Sequence, residues 1–246
     1  MLRLLISRAV EFGLPFRVVA THTIFPQYLP DDGVVLDFGA NRGAFSKEIL
    51  ATTHCRSYAV EANPALAKLL PPEERFQILN VAVAGKARMV TLILDENPEC
   101  SSILTGVVDH QIGQVEIAAI DYTTALSEFG VTHVDLLKLD IEGAEIELID
   151  SMTDAQLQAI PQITIEFHDD FGWYPRSEAK RIFKRLRKLG FANASLWGRR
   201  TFDTVFLNKK FCPGASWVAF RTSTLGRLEV AVFNYLNWRM KQRGVD

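Results

Sequence analysis

The stretch Val34-Val35-Leu36-Asp37-Phe38-Gly39-Ala40-Asn41-Arg42-Gly43 constrains the fold more than any other, because a short apolar run delivers the chain into an acidic, glycine-rich turn. Val34 to Phe38 is β-branched and apolar enough for a buried strand, and Ala44-Phe45-Ser46-Lys47-Glu48 can open a helix. Gly39 and Gly43 allow a tight turn and a close approach to a ligand, which a Cβ would obstruct. Asp37 stands at the carboxyl end of the strand, where open α/β sheets bind ligands. Strand, glycine turn and helix also occur together without any ligand, so a second feature has to decide.

The next apolar strand supplies it. Ser57 to Val60 ends at Glu61, some two dozen residues after Asp37, and Ala62-Asn63-Pro64 follows. An acid at that strand tip can accept hydrogen bonds from both ribose hydroxyls of a nucleoside. The first turn lacks the G-x-G-x-x-G spacing that brings a helix N-terminus up to a pyrophosphate. A nucleoside without phosphates therefore fits better than NAD.

With these features the chain resembles class I S-adenosylmethionine-dependent methyltransferases, and a third block narrows the resemblance. Val134-Asp135-Leu136-Leu137-Lys138-Leu139-Asp140-Ile141-Glu142-Gly143-Ala144-Glu145 is similar to the D-x-x-K-x-D-x-E-G-x-E signature of the FkbM-type methyltransferases. The glycine turn, Glu61 with Asn63-Pro64, Asn80-Val81-Ala82 and Ser101-Ser102 occur in that family's order. The matching blocks run from about Val34 to His168, a little over half the chain. Two departures stand out: Leu66 to Leu70 runs into Pro71-Pro72 where the family has a longer helix, and Ala62 replaces a common proline.

The resemblance implies a Rossmann-like, doubly wound α/β fold with a mostly parallel seven-stranded sheet and one reversed strand. It also implies donor contacts from Asp37, Gly39, Asn41, Gly43, Glu61, Asn63, Ala82 and Asp140. The implied reaction is O-methylation by S-adenosylmethionine, with a hydroxyl of a sugar or other small molecule as acceptor. The substrate side is expected at Ser101, Ser102 and Glu142. Two other classes compete. A nucleotide-binding oxidoreductase would share the sheet and the ribose acid but needs a phosphate-binding glycine pattern, and a non-catalytic binding protein on the same fold would have lost the donor residues, which are present here.

The residues themselves give the elements. Strands are expected at Val34–Phe38, Ser57–Val60, Phe76–Val83, Asp135–Leu139, Ile163–Phe167, Phe191–Leu196 and Thr204–Leu207. Helices are expected at Phe45–Ala51, Pro64–Leu70, Ala144–Asp150 and Ser177–Leu189, an alternation that makes a parallel sheet with helices on both faces. The short connection through Gly198 makes the last two strands an antiparallel hairpin. Met89–Leu94 and Val115–Ala119 add β structure around the Asp95 to Gly113 loop, which suits substrate contacts or plain solvent exposure.

Catalytic candidates lie at the ends of the fourth and fifth main strands. Asp140 can point into the crevice to orient the acceptor hydroxyl or bind the donor's ammonium group, and Glu142 opens the next helix beside it. Glu145 fits a structural role at the helix's positive N-terminus, worth roughly 0.3 to 1 kcal/mol. Glu166 and His168 alternate to one face, and His168 is the expected general base because its ordinary pKa lies near physiological pH. Asp140, Glu166 and His168 alternatively form a divalent-metal set, although a metal-free mechanism is the expectation. His22, His54, His110 and His133 lack such company and are expected to be surface or packing residues.

Composition agrees with a single enzyme domain of 246 residues, 48% hydrophobic and 23% charged. A formal net charge of -2 argues against a general nucleic-acid binder. Cys55, Cys100 and Cys212 form no C-x-x-C, which favours a reducing, cytoplasmic compartment. No run is apolar for the roughly 18 residues a membrane span needs. Met1 to Ala20 reads as an appended amphipathic helix rather than a signal peptide, and Leu225 to Met240 has a similar character. The organisation expected is a helical addition over 1–30, the methyltransferase domain over 31–210 and a second addition over 211–246. The additions suit packing or homo-oligomer contacts, with peripheral membrane contact as the alternative. The basic run Lys180 to Lys188 carries apolar residues at helical spacing and reads as the solvated face of a sheet-covering helix, an RNA or anionic-membrane surface being the competing reading.

Overall fold

The computed structural model describes residues 16–195, 201 and 203–224. In chain order the strands are β1 (Arg17–Val19), β2 (His22–Ile24), β3 (Val34–Phe38), β4 (Arg56–Val60), β5 (Phe76–Leu79), β6 (Ala82–Val83), β7 (Arg88–Asp95), β8 (Gln111–Ile120), β9 (Leu136–Leu139), β10 (Gln162–Ile165), β11 (Phe191–Asn193) and β12 (Thr204–Asn208). The helices are α1 (Ala44–Thr52), α2 (Pro64–Ala67), α3 (Tyr122–Phe129), α4 (Glu145–Ser151), α5 (Asp154–Gln158) and α6 (Arg176–Lys188), with a further helix over residues 215–224.

Seven strands form one sheet in the order β11-β12-β10-β9-β3-β4-β5. Its central strands run parallel, and β12 is antiparallel to both β10 and β11. This is the doubly wound α/β sheet with an antiparallel edge hairpin that the alternation predicts. The expected hairpin turn around Gly198, together with Leu196, lies outside the described residues. So does the expected C-terminal helix over Leu225 to Met240.

Strand alternation divides the core. Val34, Leu36 and Phe38 of β3, with Leu137 and Leu139 of β9 and Ile163 and Ile165 of β10, pack on the face that α3 to α6 cover. Val35 and Leu136 point to the opposite face, against Phe45 and Ile49 of α1 and Val19 and Ile24 of the first hairpin. Asp37 and Lys138 follow on that same α1 face by the two-residue period. The parallel register sets them side by side.

Four local expectations need correction. Arg17 to Ala20, the end of the expected N-terminal helix, instead open a β-hairpin over residues 17–24, whose turn residues Ala20 and Thr21 both have positive φ, and the β-branched run Val18-Val19 and Thr23-Ile24 suits strands better than a helix. The hairpin is hydrogen-bonded to the strands around it: the Thr23 amide and hydroxyl donate to Asp203 at 2.8 and 2.6 Å, and the Phe25 amide donates to Gln162 Oε1 at 2.6 Å. The rest of that expected helix, residues 1–15, lies outside the described residues.

Phe76 to Val83 is not one strand. Asn80 turns its amide back onto the Glu61 and Ala62 carbonyls at 2.9 and 3.1 Å, and β6 then joins β8 and β7 in a separate three-stranded sheet. Helices α3 and α5 were not anticipated, although Asp121 caps α3 and Thr153 with Gln156 forms a capping box on α5. Helix α2 is shorter than Pro64–Leu70. On α6 the basic run behaves as a sheet cover: Ala179, Ile182 and Leu186 are buried, while Arg181 pairs with Asp150 and Glu178, and Arg185 with Asp154. No described helix is long and apolar enough to cross a membrane.

Candidate active site

Strand order reverses between β3 and β9, which opens a crevice beyond their carboxyl ends. Gly39 makes this junction close. Its φ is +81°, and a Cβ there would stand 1.7 Å from the Asp140 carbonyl oxygen, so any side chain would push the first turn away from the acidic loop. The glycine turn and the acidic block, far apart in the chain, are therefore in backbone contact.

At the β4 end, Glu61 is 7% exposed and accepts backbone N–H groups on both oxygens, Asn41 N on Oε2 and Asn63 N on Oε1, each at 2.7 Å. Asn41 reaches this position with a positive φ of 53°. Burial pushes the Glu61 carboxyl up, against the two amides and the nearby Lys138 charge. Asn41 Oδ1 is buried with no partner among the described residues. From Glu61 a cleft runs past Val81, Ala82, Val83 and Leu92 to Asp140, Ile141 and Glu142, with Pro98, Glu99 and Ser101 closing it from the loop between β7 and β8.

The β9 end is dense in charge. Lys138 is 3% exposed, stands 3.2 Å from Asp37 Oδ1 and 3.5 Å from Asp140 Oδ2, and donates to the Gly39 carbonyl at 2.5 Å. Burial would lower the Lys138 ammonium, but Asp37 and Asp140 outweigh it and hold it charged. His22 Nε2 lies 3.5 Å from Asp140 Oδ2. Burial works to raise Asp140, and Lys138, His22 and His168 together hold it well below the usual carboxylate range.

Glu142 and Gly143 turn the chain at φ 51° and 101°. A Cβ on Gly143 would meet Leu104 at 2.4 Å and Trp173 at 3.1 Å. Glu145, fully buried, accepts the Ile141 and Gly143 amides at 3.1 Å each and so fixes the loop, as its expected structural role requires. Between these acids sits His168, with Nε2 3.2 Å from Glu142 Oε2 and Nδ1 3.1 Å from Glu145 Oε1. Trp173 stacks on its ring at 4.7 Å between centroids. Burial would lower His168, yet Glu142 and Glu145 prevail and raise it to about 11. An imidazolium flanked by two carboxylates has no free lone pair at neutral pH, which opposes the general-base role its ordinary pKa suggested. Burial and the charge of Asp140 push Glu166 up to about 8.

Of the expected donor contacts, Gly39, Asn41, Glu61, Ala82 and Asp140 line the cleft. Asp37 does not, because its side chain points to the α1 face, where it accepts from Ser46 Oγ at 2.6 Å and meets Lys138. Gly43 turns the chain into α1 instead, and Asn63 caps α2 through its side chain. Ser101 and Glu142 line the cleft. Ser102 is buried and holds the Glu142 carbonyl at 2.6 Å, which makes it a brace for the acidic turn rather than a surface for substrate.

The expected catalytic trio divides into two overlapping groups, His22 with Asp140 and Glu166, and Asp140 with Glu142 and His168. Lys138 and His22 are the residues the sequence reading missed. Lys138 carried a signal, being a lone cation inside an apolar strand, whereas His22 carried none.

Comparison with known proteins bears on the same region. A family model described as the methyltransferase FkbM domain matches residues 37–192. A stretch of 66 residues is 33% identical to the AMB antimetabolite synthetase AmbE of Pseudomonas aeruginosa, covering 27% of this chain and 3% of that protein's length. Similar solved structures include precorrin-6y C5,15-methyltransferase from Geobacter metallireducens, at 14% identity over 73% of this chain and 79% of that one, with a TM-score of 0.36. A TehB-like SAM-dependent methyltransferase from Corynebacterium glutamicum is 15% identical over 74% of this chain and 84% of its own, with a TM-score of 0.33.

Proposed function

Because the chain belongs to the FkbM methyltransferase family, whose domain spans residues 37–192, we propose that it methylates a hydroxyl oxygen of a sugar or other small molecule. The observation that carries this reading is the continuity of one cleft from Glu61 to Asp140 and Glu142. One end suits a nucleoside and the other suits a polar acceptor.

The residues fit S-adenosylmethionine, which when bound supplies an electrophilic methyl group on a sulfonium. Glu61, already oriented by two backbone amides, has lone pairs left for both ribose hydroxyls. The unpartnered Asn41 Oδ1 can accept a further hydrogen bond from the same ligand. Val81, Val83 and Leu92 offer an apolar wall for a base. At the acidic end Asp140, Glu142 and Glu166 offer carboxyl oxygens that can accept hydrogen bonds from an ammonium or hydroxyl group of a ligand.

With S-adenosylmethionine held at the Glu61 end, its methyl group would pass to an acceptor oxygen positioned beside Asp140 and Glu142, the sulfonium leaving as the neutral thioether. The acceptor's proton would pass to Glu166, the more basic of the two carboxyls, with Asp140 orienting the hydroxyl. The protein's contribution is to hold acceptor oxygen and methyl carbon in line and to exclude water between them.

The test is transfer from methyl-labelled S-adenosylmethionine to a panel of glycosides and small alcohols. Label in alkali-stable ether products is the expected result. Label released by mild alkali would mean a carboxyl ester and would overturn the hydroxyl acceptor, and label confined to amines would do the same.

A further inference from the structure

His22 is 1% exposed, and among the described residues neither ring nitrogen meets hydrogen-bond geometry, although Nε2 stands at ion-pair distance from Asp140. An imidazole nitrogen buried without a hydrogen bond costs free energy that a packing role alone does not return. Its hydrocarbon edge does pack, against Phe45 in a T-shaped contact at 5.7 Å. Its polar edge faces carboxylates instead, with Nε2 3.5 Å from Asp140 Oδ2. Ligand atoms of His22, Asp140 and Glu166 all lie within 4.8 Å of one another.

Three separate elements bring them together. His22 opens β2, which lies over the α1 face of the sheet. Asp140 follows β9 and Glu166 follows β10, each two residues beyond a residue of that face, Lys138 and Thr164. Lys138 is the nearest cation, but it is anchored to Asp37 and to the Gly39 carbonyl, so its charge is shared between two carboxylates. His168, the other neighbouring imidazole, has both nitrogens against Glu142 and Glu145. His168 thus has a carboxylate against each nitrogen, whereas His22 has one ion-pair contact, at Nε2, and leaves Nδ1 without a partner among the described residues.

We propose that His22, Asp140 and Glu166 bind a divalent transition-metal ion such as Mn²⁺. One imidazole and two carboxylates form a mixed nitrogen and oxygen set that suits such an ion and leaves positions open for water or an acceptor oxygen. Binding of the ion stands independently of the methyl-transfer reading. Its use rests on that reading, since an acceptor hydroxyl bound to the ion would lose its proton more readily.

The experiment is titration of the metal-stripped full-length protein with Mn²⁺ alone, without S-adenosylmethionine or acceptor, reading free Mn²⁺ by electron paramagnetic resonance and thermal stability in parallel. Saturable binding of one equivalent and a rise in Tm with Mn²⁺ are expected. His22→Ala and Glu166→Gln should each weaken binding by roughly tenfold or more, the loss known even for residues that only support metal ligands. Glu166→Gln keeps side-chain volume and covers the case in which His22→Ala fails to fold. Glu142→Gln serves as the discriminating variant and should leave Mn²⁺ binding in place. No binding at millimolar Mn²⁺, or binding lost in Glu142→Gln but kept in His22→Ala, would overturn the assignment. Normal Mn²⁺ binding in a protein that transfers no methyl group would count against the proposed reaction and leave the metal site standing.

Discussion

The two ends of the cleft hold their acids in different ways. At the β4 end, Glu61 is oriented by the amides of Asn41 and Asn63, groups that no side-chain substitution removes. At the β9 and β10 ends, Asp140 and Glu142 are held by side-chain charge, from Lys138 and His168, and only the deeper Glu145 also accepts backbone amides. Backbone donors make a rigid, pre-formed acceptor pair, which suits a ligand common to a whole family of enzymes. Side-chain charges can be rearranged by a few substitutions, which suits the half of the site that must differ from one acceptor to another. The contrast predicts that substitutions at the charged end act through neighbouring acids, while those at the backbone end act only on what they touch.

The largest effect is expected from Lys138→Met. It keeps the length of the side chain and removes the cation beside Asp37, which is fully buried. Breaking a buried pair on one side costs about 3 to 5 kcal/mol, so urea unfolding should show a loss of that order. Adding Asp37→Asn should restore much of it, because the uncompensated charge is then gone. A single variant within 1 kcal/mol of the parent, on the order of a surface substitution, would mean that Lys138 is not what holds this end together.

His168→Ala comes next. Glu142 and Glu145 lose their shared cation, and the turn that carries Glu142 is expected to shift. A displacement of about 1 Å in a positioning group can cost on the order of 10²-fold in rate. Turnover should therefore fall by about that factor while S-adenosylmethionine affinity changes little. Equal losses in both would erase the distinction between the two ends. Glu61→Ala should do the reverse, weakening S-adenosylmethionine by roughly tenfold or more, since hydrogen bonds to a charged group are worth about 1.5 to 3 kcal/mol each. Unchanged affinity by calorimetry would remove Glu61 from the donor site.

Features of the site that depend on neighbours in sequence were legible from the residues. The glycine turn after β3, Glu61 at the tip of β4 and the acidic turn after β9 are each written in a few consecutive positions. Features that depend on register were not. Asp37 was read as a cofactor contact because it ends a strand, yet the pairing of β3 with β9 turns it toward Lys138. His22 lies more than a hundred residues from Asp140, and only the hairpin of β1 and β2 folding onto the sheet brings it there. The environment of His168 is hidden for a related reason: its pKa is set by Glu142 and Glu145, whose approach depends on two consecutive residues of positive φ, the first of them not a glycine. The small sheet was expected as extra β structure, but the break at Asn80 that feeds it is a side-chain hydrogen bond with no pattern of its own.

Asn63→Ala should have the smallest effect, and it tests the backbone end most directly. Asn63 is expected to touch the donor, but its side chain does not line the cleft and is taken up by partners within the protein. Oδ1 accepts from the Ala65 amide at 3.0 Å as the cap of α2, and Nδ2 reaches the Pro98 carbonyl and Ser101 Oγ at 3.3 Å each. Loss of an asparagine cap costs typically about 1 kcal/mol, and α2 is only four residues long, so little cooperative structure depends on it. The contact with Glu61 runs through the Asn63 amide, which alanine keeps. Melting should therefore show a modest loss of stability, and calorimetry should show S-adenosylmethionine affinity within about twofold of the parent, since the side chain offers no hydrogen bond to the ligand to lose. A tenfold loss of affinity, about 1.4 kcal/mol, would mean that the side chain, by bracing the Pro98 to Ser101 loop, shapes the donor end after all. The two ends of the cleft would then be held by the same kind of device.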